Sequence, residues 1–176
     1  MSMQIRQEST QDYLEVERLI QQVFASEESS DKQEHLLVAR LRCGESFIRE
    51  LSLVAELDNK IIGHILFTRA KIIGDKSVVD TLVLAPLVVC SDFQKHGIGT
   101  KLINFGLKKA IDLGFSSVMV LGDPNYYSKF GFKSACEYGI KAPFEVEDKY
   151  FMAVELKSQA LKDANGVLQY AKEFGI

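Results

Sequence analysis

Apolar positions change rhythm along this chain, and the changes mark its elements. Residues 3–8 form a short run that reads as a first strand. Tyr13, Val16, Ile20 and Phe24 then recur at helical spacing, with Thr10 placed to cap that helix. Ser30-x-x-Gln33 fits a capping box and predicts a second helix from Ser30 to about Cys43. In the middle of the chain, 51–57, 61–72 and 77–90 become rich in β-branched and apolar residues. Asp58-Asn59-Lys60 and Gly74-Asp75-Lys76 separate them as hairpin turns, so three consecutive antiparallel strands are expected.

Helical spacing returns over 97–113, with Ile98, Leu102, Phe105 and Ile111 on the apolar side and Gly114 just past the end. Residues 115–121 read as a strand, parallel to the one before because a helix separates them. Asp123-Pro124 opens a short helix as N-cap and first turn, and Gly131 stops it. Strands are expected again over 132–136 and 150–156, and 166–176 fits either a strand or a short helix. The order β-α-α-β-β-β-α-β-α-β-β predicts an α+β (or α/β) fold. Its central sheet is mixed and mostly antiparallel, with helices on both faces.

Composition narrows the function. The 176 residues suit a single domain, 1–176, and 47% hydrophobic content can bury its own core without a disulfide or a metal. A net charge of −3 gives no broad attraction to nucleic acid or to an anionic membrane. The longest apolar run, 82–90, contains Pro86 and falls far short of the roughly 20 residues of a membrane span. Cys43, Cys90 and Cys136 form no C-x-x-C pair, and the three histidines, His35, His64 and His96, lack metal-site spacing with them. No metal is expected. Reduced thiols and a polar start without a signal-peptide apolar region suggest a cytoplasmic protein.

The stretch with chemical content runs Leu87-Val88-Val89-Cys90-Ser91-Asp92-Phe93-Gln94-Lys95-His96-Gly97-Ile98-Gly99-Thr100. It places a strand, a polar loop and a glycine-bearing turn directly before a helix. The first amides of a helix lack partners and its dipole end is positive, so glycines there let an anion come close. A pyrophosphate fits such a place. The dinucleotide fingerprint is excluded because Leu102 stands where its third glycine belongs, and a P-loop because the order is Gly99-Thr100-Lys101.

Gln94-Lys95-His96-Gly97-Ile98-Gly99 resembles the Gln/Arg-x-x-Gly-x-Gly/Ala signature of the GNAT acetyltransferases. Tyr126-Tyr127-Ser128-Lys129-Phe130-Gly131-Phe132 resembles that family's second signature. The stretch Leu121-Gly122-Asp123-Pro124-Asn125-Tyr126-Tyr127 is similar to one bacterial subgroup of N-acetyltransferases. The resemblance implies acetyl-CoA as co-substrate and a primary amine of a small molecule or peptide as acceptor, joined by direct attack. A non-catalytic acyl-CoA sensor on the same fold is the alternative.

By the same resemblance, the amides of Lys95, His96, Gly97, Ile98, Gly99 and Thr100 cradle the CoA pyrophosphate, and Gln94 shapes the start of the loop. Backbone groups of Leu87 and Val89 pair with the pantetheine arm, Val88 belongs to the same cofactor-binding strand, and Val89 (or Val88) offers an N–H to the oxyanion. Asp123 and Tyr127 complete the cofactor-binding set, and Tyr127 matches the general acid for the leaving thiolate. The slot for the thioester is expected between 87–90 and 119–122. The acceptor pocket is expected from 24–43 and 138–149. The proton acceptor stays open among Asp80, Glu56, Asp123, His64 and a water chain. Cys90 has no visible histidine partner and is not expected to form an acyl-enzyme. A final strand at the sheet edge would allow pairing in a homodimer.

Overall fold

The computed structural model describes residues 2–176, which divide into two compact units, one reaching to Phe67 and resuming over Ala85–Lys109, the other made of Thr68–Leu84 and Ala110–Ile176. Strands β3 (Lys60–Ile73) and β4 (Val78–Val89) run through both.

In the first unit, β1 (Met3–Gln7), β2 (Phe47–Leu57), β3 and β4 hydrogen-bond in that order, and α1 (Tyr13–Phe24) and α2 (Glu34–Arg42) separate β1 from β2. Strand β1 is antiparallel to β2, with Met3 opposite Leu57 and Gln7 opposite Leu53. The β2–β3 turn is made by Asp58 and Asn59, both left-handed at φ 49° and 63°, a conformation that aspartate and asparagine tolerate better than other side chains do. Val16, Leu19 and Ile20 of α1 and Val38 and Leu41 of α2 are buried.

Helix α3 (Ile98–Asp112) packs on the face of β3 that carries Gly63 and Phe67. A Cβ on Gly63 would stand 3.0 Å from Leu102, and one on Gly106 only 2.3 Å from the Phe67 ring, so glycine is what lets this helix approach. Phe105 and Ile111, expected on the apolar side of α3, are 41% and 46% exposed. The buried stripe instead runs through Ile98, Leu102, Ile103 and Leu107, because Gly106 turns the contact line toward Phe67. The other face of the same strands carries Arg6, Ser52 and His64, with Glu8 just past β1, and α1 and α2 lie against it. Helices therefore cover both faces within this unit.

The second unit contains β5 (Ser117–Leu121), α4 (Pro124–Tyr127), β6 (Lys133–Ser134), β7 (Ile140–Lys141), β8 (Phe151–Glu155) and β9 (Gly166–Gln169). Strand β4 runs parallel to β5 through Leu82↔Val118 and Val83↔Met119, as a helical crossover requires. Strand β8 pairs antiparallel with β5 and β6, and β9 pairs antiparallel with β3 and parallel with β7. The sheet is mixed and mostly antiparallel, as expected. The final strand is not an edge: hydrogen bonding to β3 on one side and β7 on the other removes the free ladder that pairing in a homodimer was expected to use.

Two predicted helix starts move. Ser9, not Thr10, begins the first: its N–H and Oγ donate to the Asp12 carboxylate at 2.7 and 2.9 Å, and a 3-10 turn over Thr10–Asp12 leads into α1. The second begins at Glu34 rather than Ser30, whose hydroxyl is taken up by Glu34 and by the Lys32 N–H. The strand expected over 132–136 shrinks to two residues because the chain turns into a 3-10 segment at Ala135. The tail holds both alternatives, a strand at Gly166–Gln169 and a 3-10 turn at Lys172–Phe174.

Gly106→Ala is expected to destabilise the protein by about 1–3 kcal/mol through overpacking, even though alanine favours a helix by about 1 kcal/mol. Adding Phe67→Leu should recover part of the loss in urea denaturation, and strict additivity would argue against the contact. The Arg6 guanidinium donates to Asp12 at 2.7 and 3.0 Å and, with the Ser9 hydrogen bonds, holds its carboxyl at about 2, below the ordinary 3.8. The unfolded chain thus takes up this proton first. The stabilisation is complete above about pH 4 and is lost as the pH falls through 2. Asp12→Asn should be less stable at pH 7 and show a shallower fall of urea midpoint between pH 4 and 2.

Candidate functional site

In the first unit, β4 leads into the loop singled out above. Leu87 and Val89 are half-buried and Val88 is buried, the alternation of a strand. Cys90 donates its N–H to Ile62 O at 2.7 Å, which pins the strand exit to β3, and a 3-10 turn over Ser91–Phe93 follows. The Gln94 side chain reaches back to donate from Nε2 to Val89 O at 3.0 Å. This closes the loop on its own strand, so Gln94 shapes the loop as a physical brace.

Lys95 and Gly97 are left-handed, with φ of 63° and 80°. Nothing lies within 4 Å of where a Gly97 Cβ would be, so backbone conformation, not crowding, calls for glycine there. Gln94, Lys95, His96 and Gly97 are exposed. Lys101 N–H donates to Gly97 O at 3.1 Å, so the amides of Ile98, Gly99 and Thr100 precede that bond at the positive end of a 15-residue helix. Unpaired amides at the end of an exposed loop, with Lys95 and Lys101 beside them, can hold an anion by backbone donation in a protein whose net charge is negative.

In the second unit, Asp123 caps α4 by accepting the Asn125 N–H at 2.9 Å, with Pro124 behind it, so its carboxylate serves the helix. Gly131, at φ 91°, ends the following turn. Tyr127 is 8% exposed, and its ring lies where a Cβ on Gly122 would be, 2.3 Å from Cε2. Tyr126 and Phe132 meet it edge-on at centroid distances of 5.2 and 5.6 Å. Burial, with Tyr126 alongside, pushes the Tyr127 phenol well above its ordinary 10, so it stays protonated at neutral pH.

The candidate proton acceptors fare differently. Glu56 accepts from Arg6 at 2.5 Å and from Gln4 at 3.1 Å. Asp80 pairs with Lys71 at 3.4 Å in solvent. His64 is fully buried in the first unit, and burial, with Arg42 nearby, lowers its imidazole to about 3. It belongs to a row of polar groups that the sequence does not announce. Arg42, with a side chain only 4% exposed, donates to Glu8 Oε1 at 2.5 Å and to Glu17 at 2.7 Å, and its guanidinium lies 3.9 Å above the Tyr13 ring. Ser52 Oγ donates to Glu8 Oε2 at 2.5 Å and lies 3.2 Å from His64 Nε2. Glu8, Ser52 and Arg42 are far apart in the chain, and the only hint of them is polar residues inside otherwise apolar strand and helix patterns.

Among the described residues, no three His, Cys, Asp or Glu side chains cluster as a metal site, and no helix is long and apolar enough to cross a membrane. The profile of the acetyltransferase (GNAT) family matches residues 11–132. The chain is 38% identical over 115 residues to the N-acetyltransferase YjhQ of Escherichia coli (strain K12), a match covering 65% of this chain and 64% of YjhQ. The crystal structure of the GNAT family N-acetyltransferase YhbS from Escherichia coli in complex with CoA superposes with a TM-score of 0.88 at 26% identity, over 99% of this chain and 92% of that one. A GNAT family acetyltransferase from Brucella melitensis in complex with acetyl-CoA gives 0.81 at 30% identity, over 98% of each chain. Two signatures in order, the strand–loop–helix that carries the first of them, and these likenesses agree: the chain belongs to the GNAT acetyltransferase family.

Proposed function

We propose that the chain, acting as one domain over 1–176, transfers the acetyl group of acetyl-CoA to a primary amine of a small molecule or peptide by direct attack in a ternary complex. The observation that carries this reading is the exposed loop Gln94–Gly97 opening onto the unpaired amides of α3. The acetyl-CoA complex of the Brucella melitensis relative supports the choice of anion. In this reading the amides of 95–100 take the pyrophosphate, and backbone groups of Leu87 and Val89 pair with the pantetheine arm as an added strand. A Val88 or Val89 N–H donates to the oxyanion as the thioester carbon becomes tetrahedral. The free thiols Cys43, Cys90 and Cys136 support a reducing, cytoplasmic setting.

Tyr127 donates a hydrogen bond to the leaving sulfur. Its raised pKa makes complete proton transfer to a thiolate of ordinary pKa near 8.5 uphill. The phenol therefore stabilises the thiolate as the C–S bond breaks, and solvent delivers the proton afterwards.

Acetyl-CoA at about 100 times its dissociation constant should add about 2.7 kcal/mol, a rise of roughly 5–11 °C in melting temperature. Gly97→Val, which forces a branched side chain into φ 80°, should lose most of that rise relative to its own ligand-free baseline. No rise in the unaltered protein would sink the acetyl-CoA reading. Tyr127→Phe should keep the thermal shift and slow release of the CoA thiol by about 10²-fold; an unchanged rate would remove Tyr127 from the reaction.

A further inference from the structure

The far end of the β3–β4 hairpin, in the second unit, leaves one sheet face in water. Along β3, Arg69, Lys71 and Ile73 are exposed and Ala70 and Ile72 buried, so the odd-numbered residues share one side. The Arg69 guanidinium lies 5.8 Å from the Phe115 ring centroid, just past α3. Beyond that contact an apolar row crosses three strands. Ile73 stands opposite Val167 of β9, and the turn 74–77, closed by the Gly74 N–H on Ser77 O, sets Val78 of β4 on its other flank. Val78, Ile73 and Val167 are 58%, 37% and 42% exposed. Ile72 and Leu168, one register step away, are each 1% exposed on the opposite side. Burial of that neighbouring pair fixes which way the row points, and it points into solvent.

The row is held still. A Cβ on Gly74 would fall 2.2 Å from Asn165 O and one on Gly166 2.3 Å from Ile73 O, so backbone packs directly on backbone there. Ser77 Oγ also donates to Asp163 O at 3.2 Å. A surface already rigid loses little freedom when something settles on it. The charges around the row then say what that is. Lys71-Ile72-Ile73-Gly74-Asp75 and Lys76-Ser77-Val78-Val79-Asp80 both read cation, branched apolar residue, anion at alternate positions. Because the hairpin reverses the chain, Lys71 and Asp80 lie together on one side of the row, 3.4 Å apart, while the turn carries Asp75 and Lys76 on the other. All four are exposed. The patch is thus neutral in a chain of net charge −3, and it bears opposite signs at equivalent places across an apolar middle. Such a surface is complementary to itself.

We propose that two copies of this chain associate face to face about a twofold axis lying along the Val78–Ile73–Val167 row. The axis sets each apolar side chain of the row against its own counterpart, the self-matching that a twofold interface requires. The same rotation carries Lys71 to Asp75 of the second copy and Asp80 to Lys76 of the second copy, so every charge beside the row meets its opposite. The two sheets stack about 10 Å apart, with their faces and not their edges in contact. Edge pairing is closed to β9, whose ladder is already taken by β3 and β7. These few side chains cover less than the about 800 Å² per partner of a standard stable interface, so the association is reversible. It does not depend on the acetyltransferase reading, since neither the loop before α3 nor Tyr127 takes part.

The test is sedimentation velocity of the full chain without ligand. The weight-average mass should climb from one chain toward two between about 1 and 300 µM, the range of an interface smaller than standard. Val78→Lys puts a cation on the axis against its own counterpart, at a position exposed enough to accept it, and should stay a single chain with its melting temperature unchanged. Two charge variants make the sharper test and leave the apolar row intact. Lys71→Glu with Lys76→Glu leaves only acids around the row, and Asp75→Lys with Asp80→Lys leaves only bases. Each should remain a single chain alone, and a mixture of the two should form a mixed dimer at least as readily as the unaltered protein. A single chain at every concentration of the unaltered protein would overturn the proposal and leave the row to a different partner. A dimer that Val78→Lys and both charge variants keep would also overturn it, since association would then use another surface. A mixture of the charge variants that stays unassociated would rule out the twofold pairing of Lys71 with Asp75 and of Asp80 with Lys76.

Discussion

A guanidinium removed from water must be paired, and Arg42 is almost wholly removed. Its side chain reaches from the last turn of α2 to Glu8 at the end of β1 and to Glu17 of α1, with Tyr13 beneath it. Removing one partner of such a buried pair costs about 3–5 kcal/mol, since the remaining charge stays buried. Apolar packing allows α1 and α2 to slide on a sheet face, whereas an ion pair with two hydrogen-bonded carboxylates does not. The same demand orients the groups behind it. Glu8 needs donors for its second oxygen, Ser52 supplies one, and the Ser52 oxygen in turn faces His64. One buried cation thereby sets the register of two helices and the orientation of an imidazole on the neighbouring strand.

On the other face, the governing constraint is steric. Gly63 and Gly106 let α3 approach β3 until Leu102 and Phe67 fill the space where side chains would otherwise stand. The direction of α3 follows from that close packing, and with it the direction in which its first amides point. The loop before the helix is then closed by Gln94 on Val89 O and turned by left-handed Lys95 and Gly97. A protein of net charge −3 can offer a place for a pyrophosphate because the positive potential comes from oriented backbone dipoles more than from side chains. In the second unit Gly122 plays a comparable part, admitting the Tyr127 ring against the backbone. Burial there keeps the phenol protonated, which suits a hydrogen-bond donor better than a proton source.

Much of this was legible in the sequence because it is local. Turn residues such as Asp58-Asn59, the Asp123-Pro124 start of α4 and the glycines at 97, 114 and 131 act within a few residues of themselves, so their types alone predict their conformations. Strand and helix periodicity located the strand–loop–helix around Gln94 and the tyrosine helix, and the two signatures pointed to the family. Where the structure departs from the pattern, a local rule is outcompeted by a partner. Ser9 took the capping place expected of Thr10 because Asp12 could bond it, and Ser30 bonded Glu34 instead of opening a helix. Phe105 and Ile111 came out exposed because Gly106, uninformative by hydrophobicity, decides which stripe of α3 meets Phe67.

The sequence by itself determined the order and type of most elements, though not the short strand β7 or the tail, together with the family and the residues able to present backbone amides to an anion, since each depends on neighbours in the chain. Only the tertiary structure decided which polar residues would be buried together. Ser52 and His64 come from two strands, Glu8 from the residue after a third and Arg42 from a helix, and each looks unremarkable in its own segment. The final strand gained a partner on both sides for the same reason, its ladder being completed by β3 and β7 from distant parts of the chain. A charge, a hydroxyl or a strand edge acquires its role from what lies across from it, and that is a property of the fold rather than of any window of sequence.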